Sequence, residues 1–107
     1  MESRKRWILS GLSIKGGVAV DEGAAKAVTE RKTSLLPAGV KEIRGSFSRG
    51  ETIEVTTLDG HRIACGIANY DSIEMATIMG AKSGDIAAVL GHDYGAEAVH
   101  RDNLVIV

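Results

Sequence analysis

Residues 34–71 read SLLPAGVKEIRGSFSRGETIEVTTLDGHRIACGIANYD, and the fold turns on this stretch. Thr52 to Thr57 alternates, with Ile53 and Val55 on one face and Thr52, Glu54 and Thr56 on the other. Arg62 to Asn69 alternates again and puts Ile63, Cys65 and Ile67 on a shared face. Between the two lies Asp59-Gly60, a pair that tolerates the positive φ angles of a two-residue hairpin turn. Upstream, Ser48-Arg49-Gly50 is a second turn, entered from a strand over Val40 to Phe47. The expected product is an antiparallel meander with one apolar face, which the rest of the chain must cover.

Working outward, Asp21 reads as a helix N-cap, with Glu22 favourable to the helix dipole in the first turn. Ala24, Ala27 and Val28 then fall at helical spacing, predicting a helix over 22–31 with a slim alanine face. Before it, Gly16-Gly17 reads as a turn between short strands over Trp7–Leu12 and Gly17–Val20. After the meander, Ser72 caps a helix to Met79 with Ile73, Ala76 and Met79 inward. Ser83 caps another to Leu90, with Ile86, Val89 and Leu90 inward and Gly91 as its stop. Residues 91–95 form a loop, and Leu104-Val105-Ile106-Val107 suits a buried closing strand. The fold class expected is α+β, mainly β: a pseudo-barrel of short, mostly antiparallel strands with small flanking helices.

At 107 residues the chain is one small domain, able to bury roughly two-thirds of its unfolded surface. Its domain (7–107) follows a charged junction (1–6). Aromatic residues make up only 4%, so the core must be aliphatic, and a net charge of −1 argues against gripping nucleic acid by bulk charge. The charge is nevertheless uneven. Residues 1–32 hold most of the Lys and Arg, and residues 71–107 carry only Lys82 and Arg101 against six carboxylates. The single Cys65 cannot form an internal disulfide, so a reducing, cytoplasmic location is expected with Cys65 as a small hydrophobe. Arg4-Lys5-Arg6 before Trp7-Ile8-Leu9 does not read as a secretion signal, because Lys15 and three glycines break the apolar run. No segment is long enough to span a membrane.

Three fragments have residue types found in catalytic or metal sites, and their spacing speaks against each. His100-Arg101-Asp102 lacks the downstream Asn, glycine-rich loop and strand lysine of a kinase catalytic site, and reads as a turn into the last strand. Gly80-Ala81-Lys82-Ser83 lacks the first glycine of a phosphate loop and reads as a helix cap at Ser83. Cys65, His61, His92 and His100 show no paired metal spacing. His92-Asp93 beside Tyr94 reads as a solvated loop. The domain is therefore expected to hold no catalytic residue, no cofactor site and no metal site. The candidates for RNA contact are Lys15, Arg31, Lys32, Gly39 and Lys41, with Lys26 and Arg44 nearby in sequence. With no aromatic platform, such contact would rest on phosphates and shape, Gly39 allowing close backbone approach.

The loop Leu35-Leu36-Pro37-Ala38-Gly39-Val40, the turn Gly45-Ser46-Phe47-Ser48-Arg49-Gly50-Glu51 and Asp59-Gly60 before Ile63-Ala64-Cys65-Gly66 resemble a PUA domain, a pseudo-barrel found in RNA-modifying enzymes. Lys5-Arg6-Trp7-Ile8, Asn69-Tyr70-Asp71-Ser72 and Val99-His100-Arg101-Asp102-Asn103-Leu104-Val105 narrow the resemblance to the C-terminal PUA domain of bacterial glutamate 5-kinases. That family often has a glycine near the end of the first helix, where this chain has Arg31-Lys32-Thr33. The resemblance implies a parent that phosphorylates the γ-carboxylate of L-glutamate with ATP and Mg, in proline biosynthesis. Its N-terminal kinase domain holds those sites, so this chain would be a non-catalytic regulatory or architectural module. Its partners would be that kinase domain, structured RNA as the alternative, and a second copy of itself.

Overall fold

The computed structural model describes residues 14–107. The expected strand over Trp7–Leu12 and the junction 1–6 lie outside those residues. The described chain runs β1 (Ile14–Val20), α1 (Glu22–Thr29), a 3-10 turn (Pro37–Gly39), β2 (Val40–Gly45), β3 (Thr52–Thr57) and β4 (Arg62–Ile67). Then come α2 (Ser72–Ile78), a 3-10 turn (Ser83–Asp85), α3 (Ile86–Leu90), a 3-10 turn (Arg101–Asn103) and β5 (Leu104–Ile106). The α+β class is as expected, but the sheet order β2-β1-β3-β4-β5 is not that of a meander. β1 inserts between β2 and β3, antiparallel to the first and parallel to the second. Only the β3–β4 hairpin pairs as the alternation predicts.

Gly16 and Gly17 explain the error. They lie inside β1 rather than in a turn, on a strand paired on both sides. A Cβ at Gly16 would come within 2.6 Å of the Arg44 carbonyl oxygen, and one at Gly17 within 2.6 Å of Glu54 Cγ. The glycines make room for neighbours on both sides, which is their other use within a strand. Over this bare track the sheet's polar face is nearly closed. Arg44 spans from β2 to Thr56 Oγ1 (3.3 Å) and Glu42 (3.2 Å), and Arg62 pairs with Glu54 at 2.9 Å. Thr52 and Thr56, on the face opposite Ile53 and Val55, are buried as well.

The hairpin register corrects a second reading. Glu54 faces Cys65 and Val55 faces Ala64, so Cys65 lies on the Glu54 side and the core side of β4 is Ala64 and Gly66. Space dictates this, since a Cβ at Gly66 would lie 2.7 Å from both Val99 Cγ1 and the Asn103 carbonyl oxygen. Burial pushes the Cys65 thiol's pKa up.

The helix caps are partly as read. Asp21 Oδ1 accepts the Ala24 N–H (2.7 Å), and Gly91 ends α3 with φ 84°. At α2 the cap is Asp71, not Ser72. Asp71 Oδ1 accepts the Glu74 N–H at 2.7 Å, and Glu74 returns the bond to the Asp71 N–H at 3.1 Å, a reciprocal capping box. Met75 and Ile78 are the buried pair of α2, whereas Ile73 is 79% exposed and Ala76 and Met79 also face outward. Val89 on α3 is likewise outward, with Ile86 inward. Ser83 caps nothing: its hydroxyl donates to the Ala96 carbonyl (3.0 Å) and ties the two loops together. The closing strand pairs with β4, and a bridge between Leu35 and Val99 joins the middle of the chain to its end.

Candidate nucleic-acid interface

α1 runs from its Asp21 cap to Thr29, two residues short of the expected helix over 22–31, and Arg31 and Lys32 follow its C-cap Glu30. The Asp21 N–H also donates to the Gly39 carbonyl (3.0 Å), which fixes the 3-10 turn beside the start of the helix. Between helix and turn lies a groove of about 560 Å³, walled by Ala24, Ala27, Leu35 and Ala38, with Gly39 at one end and Arg31 on the rim. A Cβ at Gly39 would sit 2.4 Å from Ala24 Cβ. Close helix packing thus accounts for this glycine without any ligand.

Lys32 faces a neighbouring depression of about 380 Å³ with Thr33, Arg101 and Asp102 on an apolar floor that includes Val28 and Leu104. The Arg101 N–H donates to Ser34 Oγ (2.8 Å), bringing a cation from the chain's end beside the end of α1. Lys32 has φ 58°, a left-handed backbone that glycine adopts freely and a lysine only at a cost. The predicted residues therefore divide. Arg31 and Gly39 share one groove, with Lys32 on the adjoining wall. Lys15 lies at the far end of β1, in a shallow depression with Gly16, Arg44 and Gly45. Lys41 is exposed on β2, next to the bulge at Ala19–Val20. Lys26 is paired with Glu22 (3.4 Å), and Arg44 is held by β3.

Arg101 was missed as a site residue because its motif reads as a turn, which it is. His100 Nδ1 accepts the Asp102 N–H (3.1 Å), and the 3-10 turn leads straight into β5. Only the non-local Leu35–Val99 bridge reveals its neighbours. No three His, Cys, Asp or Glu side chains among the described residues converge as metal ligands. No described helix is long and apolar enough to cross a membrane.

The family model for the PUA domain matches residues 16–90. The chain belongs to the PUA domain family. Two solved PUA proteins share the architecture: a PUA domain from Aeropyrum pernix K1, solved as a tartrate complex, and a PUA domain protein from Thermoplasma acidophilum. The first has a TM-score of 0.61 with 27% identity, covering 81% of this chain and 41% of that one. The second has a TM-score of 0.55 with 24% identity, covering 87% and 48%. In sequence, the chain is 50% identical over 107 residues to glutamate 5-kinase of Vibrio vulnificus and 45% identical over 105 residues to that of Herpetosiphon aurantiacus. The match falls in the C-terminal part of these enzymes. This PUA chain spans 28% of the length of each of the two relatives.

A second cluster in the PUA barrel also escaped the sequence reading. Arg49, from the β2–β3 turn, lies with its guanidinium carbon 3.9 Å from the centre of the Tyr94 ring. His92 and Tyr70 flank the same ring at centroid distances of 5.1 and 5.4 Å. His92 and Tyr94 are neighbours in sequence, but Arg49 and Tyr70 lie more than twenty positions from them and from each other, and no local pattern joins the three segments.

Proposed function

We propose that this chain is the non-catalytic, regulatory or architectural PUA module of a glutamate 5-kinase. The identity of 50% across the whole chain, confined to 28% of the relative, carries this reading. The parent enzyme would transfer phosphate from ATP, with Mg, to the γ-carboxylate of L-glutamate, in the cytoplasm. Those groups would be held by an N-terminal kinase domain, the PUA module's covalent partner. Given ATP, Mg and L-glutamate, the chain alone should release no ADP above a protein-free control. Turnover well above that control overturns the reading.

A second reading, contact with structured RNA, is favoured by one observation: Arg101 joins Arg31 and Lys32 in a ridge beside the Gly39 groove. Such binding would rest on phosphate contacts and weaken as salt rises. Lys32→Gly separates its two consequences. Relief of the left-handed backbone should raise stability by about 0.5–1 kcal/mol in denaturant melts. Loss of one cation should weaken RNA binding and reduce the salt slope by roughly one. An unchanged affinity and slope removes Lys32 from the interface.

A further inference from the structure

The outer face of the sheet, opposite the core, has two different ends. At the Thr56 end it is screened by the side chains of Arg44 and Arg62, which reach Thr56 and Glu54. At the other end the register lines up Ile14, Thr52 and Ile67 across β1, β3 and β4, and sets Cys65 beside Val105 across β4 and β5. Thr52 is 2% exposed and Cys65 3%, yet neither belongs to the core cluster, and Ile14, Ile67 and Val105 are half-buried. The described helices do not account for this burial. Their inward residues Val28, Met75, Ile78 and Ile86 pack with Ile53, Val55 and Ala64, on the opposite face.

The Thr52 hydroxyl marks the place. Its oxygen is closed to solvent and has no hydrogen-bond partner among the described residues. On a bare sheet face such a hydroxyl would bond to water, so one shut off without a partner lies beneath a cover. The cover must itself be apolar, because it rests on Ile14, Ile67, Cys65 and Val105.

The chain carries a segment that fits. Residues 1–13 lie outside the described residues and join the sheet at Ile14, a corner of this patch. They hold the apolar run Trp7-Ile8-Leu9, with the chain's single tryptophan. Seven residues of chain lead from Trp7 to Ile14, a reach of up to about 23 Å when extended. Crossing from β1 over β3 and β4 to β5 takes three strand spacings, about 14 Å. The segment is therefore tethered at the right edge, long enough and of matching chemistry. We propose that Trp7-Ile8-Leu9 covers the Thr52–Cys65–Val105 end of the outer sheet face. For the kinase module proposed above, and resting on that reading, the junction Arg4-Lys5-Arg6 would then leave the domain on the β5 side rather than beside β1.

Trp7 and Cys65 are each the only residue of their type, so each reports on one side of the contact. In the full chain, Trp7 emission is expected to lie to the blue of the denatured chain and to resist quenching by iodide. Val105→Glu should move that emission to the red while circular dichroism remains that of the folded domain. Trp7→Ser should speed labelling of Cys65 by a thiol reagent by about tenfold or more, since a buried thiol is inert until it is uncovered. That labelling should outpace the variant's own global unfolding. Native emission and quenching equal to those of the denatured chain overturn the proposal. So does a shielded Trp7 that ignores Val105→Glu, or a Cys65 labelling rate that Trp7→Ser leaves unchanged. Should Val105→Glu fail to fold, the Cys65 labelling decides by itself. None of these readouts involves glutamate or ATP, so their failure leaves the kinase reading standing.

Discussion

Replacing Ile78 by alanine is expected to cost about 2–5 kcal/mol of unfolding free energy, while Ile73→Ala costs under about 0.5 kcal/mol. Both residues are isoleucines of the same short helix. Ile78 is fully buried under α2 and packs in the aliphatic core, whereas Ile73 stands in solvent. Deleting Ile78's branched end leaves a cavity that a closely packed small domain closes only in part. In a domain of about 100 residues each kcal/mol moves the melting temperature by roughly 4–8 °C, so the two variants should separate clearly in thermal melts. Equal losses for the two, or a larger loss at Ile73, would show that α2 is rotated from the arrangement described.

Gly39→Ala should destabilise by about 1–3 kcal/mol, the range for overpacking a fitted contact. The new methyl would lie 2.4 Å from the methyl of Ala24, well inside the ordinary carbon–carbon separation. Either the 3-10 turn or α1 must move, and the Asp21 N–H bond to the Gly39 carbonyl opens with it. Ala24→Gly removes the obstacle. Alone it should cost about 0.5–1 kcal/mol as a glycine within a helix, yet combined with Gly39→Ala it should recover most of the loss. Chemical denaturation of the four proteins measures the coupling. Strict additivity would mean that the glycine serves something other than this contact, for example approach of a bound molecule.

Which features could be read ahead divides along physical lines. Asp21 and Gly91 were legible because a cap is settled by a few consecutive residues, whereas Asp59-Gly60 marked the hairpin but not its length: the loop takes four residues, 58–61, and of the pair only Gly60 has positive φ. The phase of α2 was not. Ile73, Ala76 and Met79 make as good an apolar stripe as Met75 and Ile78, and the choice fell to the Asp71–Glu74 capping box, which starts the helix one residue earlier than a Ser72 cap. The place of β1 was hidden for a related reason. A strand whose middle is Gly16-Gly17 shows no alternation, and its partners were decided by side chains from β2 and β3 that lie across it. The candidate site followed the same division. Arg31, Lys32 and Gly39 lie close in sequence and were found, though Gly39 proved to have a packing reason of its own. Arg101 and the Arg49–Tyr94 stack belong to contacts between distant segments, which composition and periodicity do not register. The family resemblance, carried by loop and turn residues, was more informative about lineage than the strands were about topology.

The insertion of β1 between β2 and β3, with Leu35 bridged to Val99, also governs the order in which the molecule can assemble. The β3–β4 hairpin closes over a short turn and can form on a microsecond scale, about 1–10 μs for hairpins in general. It cannot be the whole nucleus, because its open flank waits for a strand some thirty residues upstream in parallel register. The far ends of the chain must then meet before the core is sealed. Such a topology has high contact order and folds in milliseconds to seconds rather than microseconds. On a ribosome the domain stays open until Val99 and β5 have left the exit tunnel, so the β4 edge of the hairpin stays unpaired while everything between Ile67 and Leu104 is being made.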